Sequence, residues 1–248
     1  MDDKIPLNSH GQRTLILIPA FNEELRLGKV LSGIKALHPL VDILVVDDGS
    51  KDGTTRAAES NGALCVVHPF NMGYGVALQT GYKYALRNNY DFLVQMDGDG
   101  QHDPSFIQAL LDPVQKGQAD VVIGSRFLTS DSNGMDAERY RAPFARRVGM
   151  KIFGTIASLC IRQWVSDPTS GYQAMSNKVF HSLAGDKFPV DYPDADVIIM
   201  LHKAGYRIRE VPVRMFPSPD NKSMHSGFKP LYYIFKMLLS IFVTLLRK

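Results

Sequence analysis

Cysteine is scarce in this chain, and neither sign of charge dominates it. Its two cysteines, Cys65 in ALCVV and Cys160 in ASLCI, sit in apolar surroundings with no CxxC or other metal-ligand spacing. They read as core residues of a protein in a reducing compartment. Lysine and arginine number 28 against 25 aspartates and glutamates, a net charge of +3, so no global electrostatic partner follows and no nucleic acid is expected. Several nucleotide and catalytic signatures are also missing. GYG at 73 to 75 would need a glycine at position 78 to continue as GxGxxG, and that position is Leu78, which argues against NAD. No GxxxxGK[ST] loop, GxSxG elbow or HxxxH pair occurs, so P-loop and covalent nucleophilic chemistry are not expected. The N-terminal MDDKIPLNSHGQR is acidic and lacks the apolar core of a signal peptide, so the folded part is expected to stay in the cytoplasm. There is no internal repeat and no low-complexity tract.

What is present is a rhythm of short apolar runs: TLILIP, DILVVDD, LCVVHP, DFLVQMD and DVVIGS, ending at residue 125. Helical spacing separates them, as in Leu27, Val30, Leu31, Ile34 and Leu37. Strand, helix, strand with continuous apolar strands predicts an α/β fold with a mostly parallel sheet covered by helices on both faces. We expect one catalytic domain over residues 1–226 and a separate apolar helix over 227–248. Its stretch PLYYIFKMLLSIFVTLL, 230 to 246, has 17 residues, the lower limit of a bilayer span. Three readings stand, in this order: an interfacial or partner-bound helix, a true span, and a core helix of the domain. Arg139, Arg141, Arg146, Arg147 and Lys151 cluster between, either as a patch for phosphates or an anionic membrane or as a solvated helix face.

Ligands of parallel sheets bind beyond the carboxyl ends of the strands. Those ends read PAFNEE, VDDGSKDGT, HPFNMGYG, MDGDGQHDP and GSRF, a rim of Asp, Asn, Glu, Gly and Arg. MDGDGQHDP holds three aspartates in seven residues. Two carboxylates about 4 Å apart repel by roughly 4 kcal/mol at an effective dielectric near 20, so the cluster needs wide solvation or a cation. Alternation in an extended chain would put Asp97, Asp99 and Gln101 on one side, with Gly98 and Gly100 leaving the backbone approachable. Hard oxygens of this kind, completed by substrate phosphates, suit Mg2+ or Mn2+. An EF-hand loop fails at His102 and Gln108, where glycine and glutamate are required; a plain Asp/Gly turn remains the bland alternative. Asp103, before Pro104, reads instead as an N-cap. In VVDDGSKDGT one of the two adjacent aspartates should face the crevice, and Ser50 or Asp52 can cap the next helix.

In chain order, PAFNEE, VVDDGSKDGT, NMGYGVALQTG, QMDGDGQHDP, GSR and DPTSGY resemble the inverting GT-A glycosyltransferases of glycosyltransferase family 2, over residues 14 to 213. The likeness is nearest to the polyprenyl-phosphate sugar synthases, in a bacterial branch with small membrane-protein partners. The resemblance implies a nucleotide sugar bound by Pro19, Ala20, Asn22, Glu23, Asp48, Gly73, Gly98, Asp97, Asp99 and Arg126. It implies a divalent ion on Asp97, Asp99 and Gln101, with Arg126 on the diphosphate or the acceptor phosphate. It implies acceptor contacts from Asp167, Ser170, Gly171, Arg139, Arg141 and Lys222. The segment FPSPDNKSMH departs from the family pattern, with Ser218 at the place of an arginine and Asn221 at that of a glycine. Lys222 restores charge there without an arginine's bidentate grip.

The expected reaction is transfer of a sugar from a nucleotide donor, UDP by preference, to a polyprenyl phosphate at the cytoplasmic face of the membrane. The sugar expected is glucose or N-acetylglucosamine, and the C-terminal helix would bind the membrane, a small membrane protein or a second copy. A phosphate acceptor is already anionic, whereas a hydroxyl acceptor would need a base, for which Asp194 and Asp196 are candidates beside their reading as first-turn helix acids. The alternatives are transfer to a glycan hydroxyl in cell-surface polysaccharide synthesis, a nucleotidyltransferase, and a non-enzymatic scaffold.

Overall fold

A computed structural model describes residues 11–128, 154–156, 158–191, 193–217 and 229–246. The expectations for Arg139, Arg141, Arg146, Arg147, Lys151, Ser218, Asn221 and Lys222 lie outside the described residues.

The chain runs β1 (Thr14–Ala20), α1 (Glu24–Leu37), β2 (Asp42–Asp47), α2 (Thr54–Ser60), β3 (Leu64–Val67), α3 (Tyr74–Arg87) and β4 (Phe92–Gln95). A 3-10 turn (Pro104–Phe106), α4 (Ile107–Gln115) and β5 (Val121–Ser125) follow. The remaining elements are β6 (Gln173–Ser176), α5 (Asn177–Leu183), α6 (Ala195–Lys203), β7 (Ile208–Pro212) and α7 (Lys229–Leu246). One seven-stranded sheet results, in the order β3-β2-β1-β4-β6-β5-β7. All pairings are parallel except those of β6, which runs antiparallel to both β4 and β5.

The apolar runs bury both faces of the sheet. In β1, Leu15 and Leu17 enter one core with α3, α5 and α6, while Ile16 and Ile18 enter the other with α1 and α4. The period of two sends successive side chains to opposite faces, so a strand covered on both sides must be apolar throughout. Each such fully buried side chain contributes about 1.5–3 kcal/mol relative to exposure. β6 and α5 are absent from the sequence reading. QAMS offers only two buried apolar residues, Ala174 and Met175, too short a signal for periodicity.

Over its described side chains, 236–246, the C-terminal helix packs along one face. Met237 and Ile241 are fully inside the α3, α5 and α6 core, whereas Leu238, Leu239, Phe242, Val243, Leu245 and Leu246 are exposed. The reading placed third, a helix joined to the domain core, therefore holds for this buried stripe. Among the described residues no helix is long and apolar enough to cross a membrane.

Candidate active site

β4 delivers Asp97 to the carboxyl edge of the sheet, and the chain then turns sharply. Residues 98 and 99 form a turn and Gly100 has φ +80°, a left-handed conformation that glycine adopts without penalty. The extended alternation expected for Asp97, Asp99 and Gln101 is thus replaced by a loop held through its own polar groups. The Gln101 amide N–H donates to Asp99 Oδ1 (2.9 Å), and its side-chain amide donates to Asp99 Oδ2. The Asp97 N–H donates to Nδ1 of His102 (3.0 Å), whose ring is buried and stacked on Tyr172 at 4.7 Å. Desolvation pushes the His102 pKa down to about 4, so this imidazole is a neutral acceptor at physiological pH. Met215 bridges His102, and the Phe216 N–H donates to Gln101 O (2.7 Å), so the segment after β7 clamps the loop. Asp103 caps the 3-10 turn as expected, accepting from Ser105 N (3.0 Å), and also pairs with Arg214 (Nε 2.8 Å).

Tyr74, at the start of α3, is the residue nearest Asp97 that sequence reasoning missed. Its hydroxyl donates to Asp97 Oδ1 (3.1 Å) and accepts from the Gln95 amide (3.2 Å). Burial of the hydroxyl, then the Asp97 charge, holds the phenol protonated and hence a donor. Tyrosine in the rim segment HPFNMGYG was its only signal. Tyr74 is placed by Asp48, which is buried and accepts from His68 Nδ1 (2.7 Å), Met72 N (2.9 Å) and Gly73 N (2.8 Å). Asp48 was expected against the base and ribose of a nucleotide; here its oxygens staple the 68–73 loop that leads into α3. Asp47, its neighbour, is equally buried and accepts from Ser50 N (2.9 Å) and the Thr55 hydroxyl, so neither carboxylate is exposed. Asp52 accepts from Thr54 N (3.0 Å) at the start of α2, the capping anticipated for it.

The β1 and β2 ends interlock. Asn22 donates from its N–H to Ser50 Oγ (2.9 Å) and accepts from Lys51 N (3.0 Å), and Glu23 N donates to Thr54 Oγ1 (2.8 Å). Glu23 pairs with Arg26 (2.8 Å) and, through desolvation and then the charges of Asp99 and Asp52, has its carboxyl raised despite that pair. Pro19 and Ala20 close the buried end of β1 beneath it.

On the other side of Asp97, Arg126 and Asp167 form a buried fork. Nε meets Oδ2 and NH2 meets Oδ1, both at 2.7 Å, with the two side chains 6% and 0% exposed. Arg126 was expected on a phosphate, but its guanidinium is engaged bidentately by Asp167 and also reaches Thr169 (3.2 Å). Asp167, expected in an acceptor pocket, lies inside. Glu210 of β7 supports the pair by accepting from Ser166 N (2.8 Å) and Asp167 N (2.9 Å). The DPTSGY loop is thereby fixed, with Ser170 buried and accepting from Tyr172 N (3.3 Å). Gly171 faces the site: a Cβ there would lie 3.0 Å from the Tyr74 hydroxyl and 3.2 Å from Asp97 Oδ2. Only a bare backbone leaves that approach open.

Asp194 and Asp196 separate. Asp194 precedes α6 without capping it, and its charge is among the influences that keep the Tyr74 phenol protonated. Asp196, expected as an alternative base, is 0% exposed and accepts from the Ser240 hydroxyl of α7, so it faces the helix interior rather than the cleft.

A profile described as Glycosyl transferase family 2 matches residues 15–184, more than half of the chain. The chain belongs to glycosyl transferase family 2. It is 32% identical over 239 residues to a polyprenol monophosphomannose synthase of Mycolicibacterium smegmatis, covering 91% of this chain and 86% of that protein. It is 31% identical over 222 residues to an undecaprenyl-phosphate mannosyltransferase of Micrococcus luteus, covering 87% of this chain and 88% of that one. Its fold is shared with glucosyl-3-phosphoglycerate synthase of Mycobacterium tuberculosis, crystallised with Mn2+, UDP-glucose and phosphoglyceric acid. That match has a TM-score of 0.66 at 22% identity and covers 95% of this chain and 80% of the other. The sheet is thus a GT-A sheet, and the polyprenyl-phosphate sugar synthases are its relatives.

In this family 2 enzyme the rim can accept a divalent cation. Asp97 has its carboxyl raised by desolvation, against the lowering pulls of the Tyr74 bond and the Arg126 charge. Among the described residues its ion-pair neighbour is the neutral His102, at 3.7 Å. Among the described residues no group of three or more His, Cys, Asp or Glu gathers to hold a metal. Two carboxylates with an incomplete protein set fit Mg2+ or Mn2+, which keep positions for substrate phosphates. A thiolate or imidazole metal does not fit, since His102 is turned to the backbone and Cys65, its thiol pushed up to about 11 by burial, lies on β3.

Proposed function

We propose that this glycosyltransferase moves a sugar from a nucleotide-sugar donor, UDP by preference, to a polyprenyl phosphate at the cytoplasmic membrane face. The reading is carried by the Asp97 and Asp99 carboxylates, which have no lysine or arginine ion-paired to them among the described residues. Full-length relatives named for polyprenol and undecaprenyl phosphates supply the acceptor class.

An acceptor phosphate oxygen attacks the anomeric carbon in line, forming the new C–O bond while the bond to the nucleoside diphosphate breaks. A bound Mg2+ or Mn2+ would neutralise charge on the departing diphosphate. Asp97 and Asp99 would hold that ion. Tyr74 orients Asp97 through its hydroxyl, Asp48 fixes the loop that carries Gly73 and Tyr74, and Gly171 keeps the space beside Asp97 free. The Arg126–Asp167 pair sets the position of that glycine rather than gripping a phosphate with a free fork. Alignment of this kind, with preorganised charge, accounts for most of what such a site must supply. The acceptor is already an anion, so no residue need take a proton. Pro19, Asn22 and Glu23 would border the nucleoside, and Ser170 with Gly171 the sugar.

Membrane association would be peripheral, through the exposed apolar face of α7 flanked in sequence by Lys229, Arg247 and Lys248. A groove of about 320 Å³ between that helix and residues 188–191 is lined by Phe188, Pro189, Val190, Leu239 and Val243. Its wall abuts the catalytic rim, because the Val190 carbonyl presses on Gly75, next to Tyr74. A lipid chain could leave the site along it.

Purified protein given radiolabelled UDP-glucose, UDP-N-acetylglucosamine or GDP-mannose, Mn2+ and undecaprenyl phosphate is expected to yield an organic-phase product and a nucleoside diphosphate. Water-soluble product alone would favour a glycan hydroxyl acceptor, and pyrophosphate release would mark a nucleotidyltransferase.

A further inference from the structure

Asp196 is a charged side chain sealed in the first turn of α6, and nothing in the transfer step uses it. Its Oδ1 accepts from the backbone N–H of Asp194 (3.0 Å) and of Val197 (2.9 Å). Its Oδ2 accepts from the Ser240 hydroxyl of the C-terminal helix. A single carboxylate therefore joins α7 to the backbone of Asp194. Buried carboxylates are costly unless their lone pairs are satisfied, and here one of the three donors comes from another helix.

The seating of α7 on this side is extensive. Met237 and Ile241 flank Ser240 in the core, Lys203 donates to the carbonyls of Thr244 (3.0 Å) and Leu245 (2.9 Å), and Lys236 pairs with Asp191 (3.1 Å). At the other end, the segment that leads to Asp194 meets the start of α3: the Val190 carbonyl lies where a Cβ on Gly75 would sit, beside Tyr74, whose hydroxyl bonds Asp97. The path from the outer helix to the carboxylate rim is thus Ser240, Asp196, the backbone segment carrying Val190 and Asp194, the start of α3, and Asp97.

We propose that Asp196 is a positioning residue: by bridging Ser240 to the Asp194 backbone, it fixes the segment of Val190 and Asp194 against the start of α3 while α7 is docked, which makes the C-terminal helix part of the working site. The inference rests on the glycosyltransferase reading for its kinetic side. Its geometric side is independent of any substrate.

The test uses Ser240→Ala, Asp196→Ala, Asp196→Asn and the Asp196→Ala/Ser240→Ala double, in the full chain. Ser240→Ala should lower kcat about tenfold, and Asp196→Ala more, with donor KM within about twofold, as expected for lost alignment. Asn at 196 keeps an acceptor for the two N–H groups and a donor for Ser240, so it should rescue most of kcat. The double variant should be no slower than Asp196→Ala alone, because the two residues act along one path. A crystal structure of Ser240→Ala, free of ligands, should show the segment of Val190 and Asp194 displaced from the start of α3. Multiplying losses in the double, or that segment unmoved in the structure, would overturn the proposal. If Asp196→Ala fails to fold, the Ser240→Ala arm decides by itself. Absence of turnover in the wild type would sink the functional reading and leave the structural arm standing.

Discussion

Two sets of acidic residues in this domain have opposite fates. Asp48, Asp103, Asp167 and Asp196 are buried, and each carboxylate is satisfied by backbone N–H groups, a hydroxyl, a histidine or an arginine fork. Asp97 and Asp99 are only partly covered and have a phenol and an amide as polar side-chain neighbours at hydrogen-bond distance, with no lysine or arginine ion-paired to them among the described residues. The difference separates structure from chemistry. A carboxylate whose charge is compensated by the fold stabilises it, whereas one left uncompensated is a standing cost that a bound cation offsets.

The widest split between the sets should come from Asp99→Ala and Asp97→Asn. Each should lower transfer about a thousandfold while leaving the melting temperature equal or higher, since an uncompensated carboxylate is removed. Chelation with EDTA should copy that loss and Mn2+ should reverse it. Asp167→Ala should do the reverse: about 3–5 kcal/mol of stability lost in denaturant melts, because the buried Arg126 is left unpaired. An Asp167→Ala protein as stable as the wild type would erase the distinction. Next in size, Gly171→Ala should cut kcat about tenfold with little change in stability, since its Cβ crowds the Tyr74 hydroxyl and Asp97. Asp103→Ala should cost about 1–2 kcal/mol as a lost cap, with transfer nearly unchanged.

The smallest effect is one of pH. Lys178 and Arg207 flank Asp120 (2.7 and 3.0 Å) and hold its carboxyl far below the usual range against desolvation. Its folded pKa is depressed, so the unfolded chain binds the proton first. The stabilisation is whole above about pH 4, the ordinary carboxylate value, and fades as pH falls below it. Urea melts of wild type and Asp120→Asn should therefore differ at pH 7 and converge toward pH 2; a constant gap would refute the assignment.

Much of this was readable from the chain. The continuous runs in β1, β2 and β4 have one structural use, a strand covered on both faces, and helices α1 and α3 announce themselves by spacing. The Asp103-Pro104 pair marked a cap by purely local rules. What failed was reasoning that carried local geometry too far. The alternation argument for Asp97, Asp99 and Gln101 assumed extended chain, and Gly100 turns it. For Arg126 the buried pairing with Asp167 was out of sight because that partner is 41 residues away in sequence. Tyr74 and His68 passed unnoticed because what gives them meaning, Asp97 and Asp48, lies just past the ends of other strands.

The sequence by itself determined the parallel α/β core, the polar rim at its carboxyl edge and the family, because burial periodicity and short motifs are local properties. Tertiary structure alone decided which rim acids are compensated, where the Arg126 fork points and that the C-terminal helix docks through Ser240. Those outcomes depend on hydrogen-bond partners brought together from distant segments, and no local pattern encodes a partner.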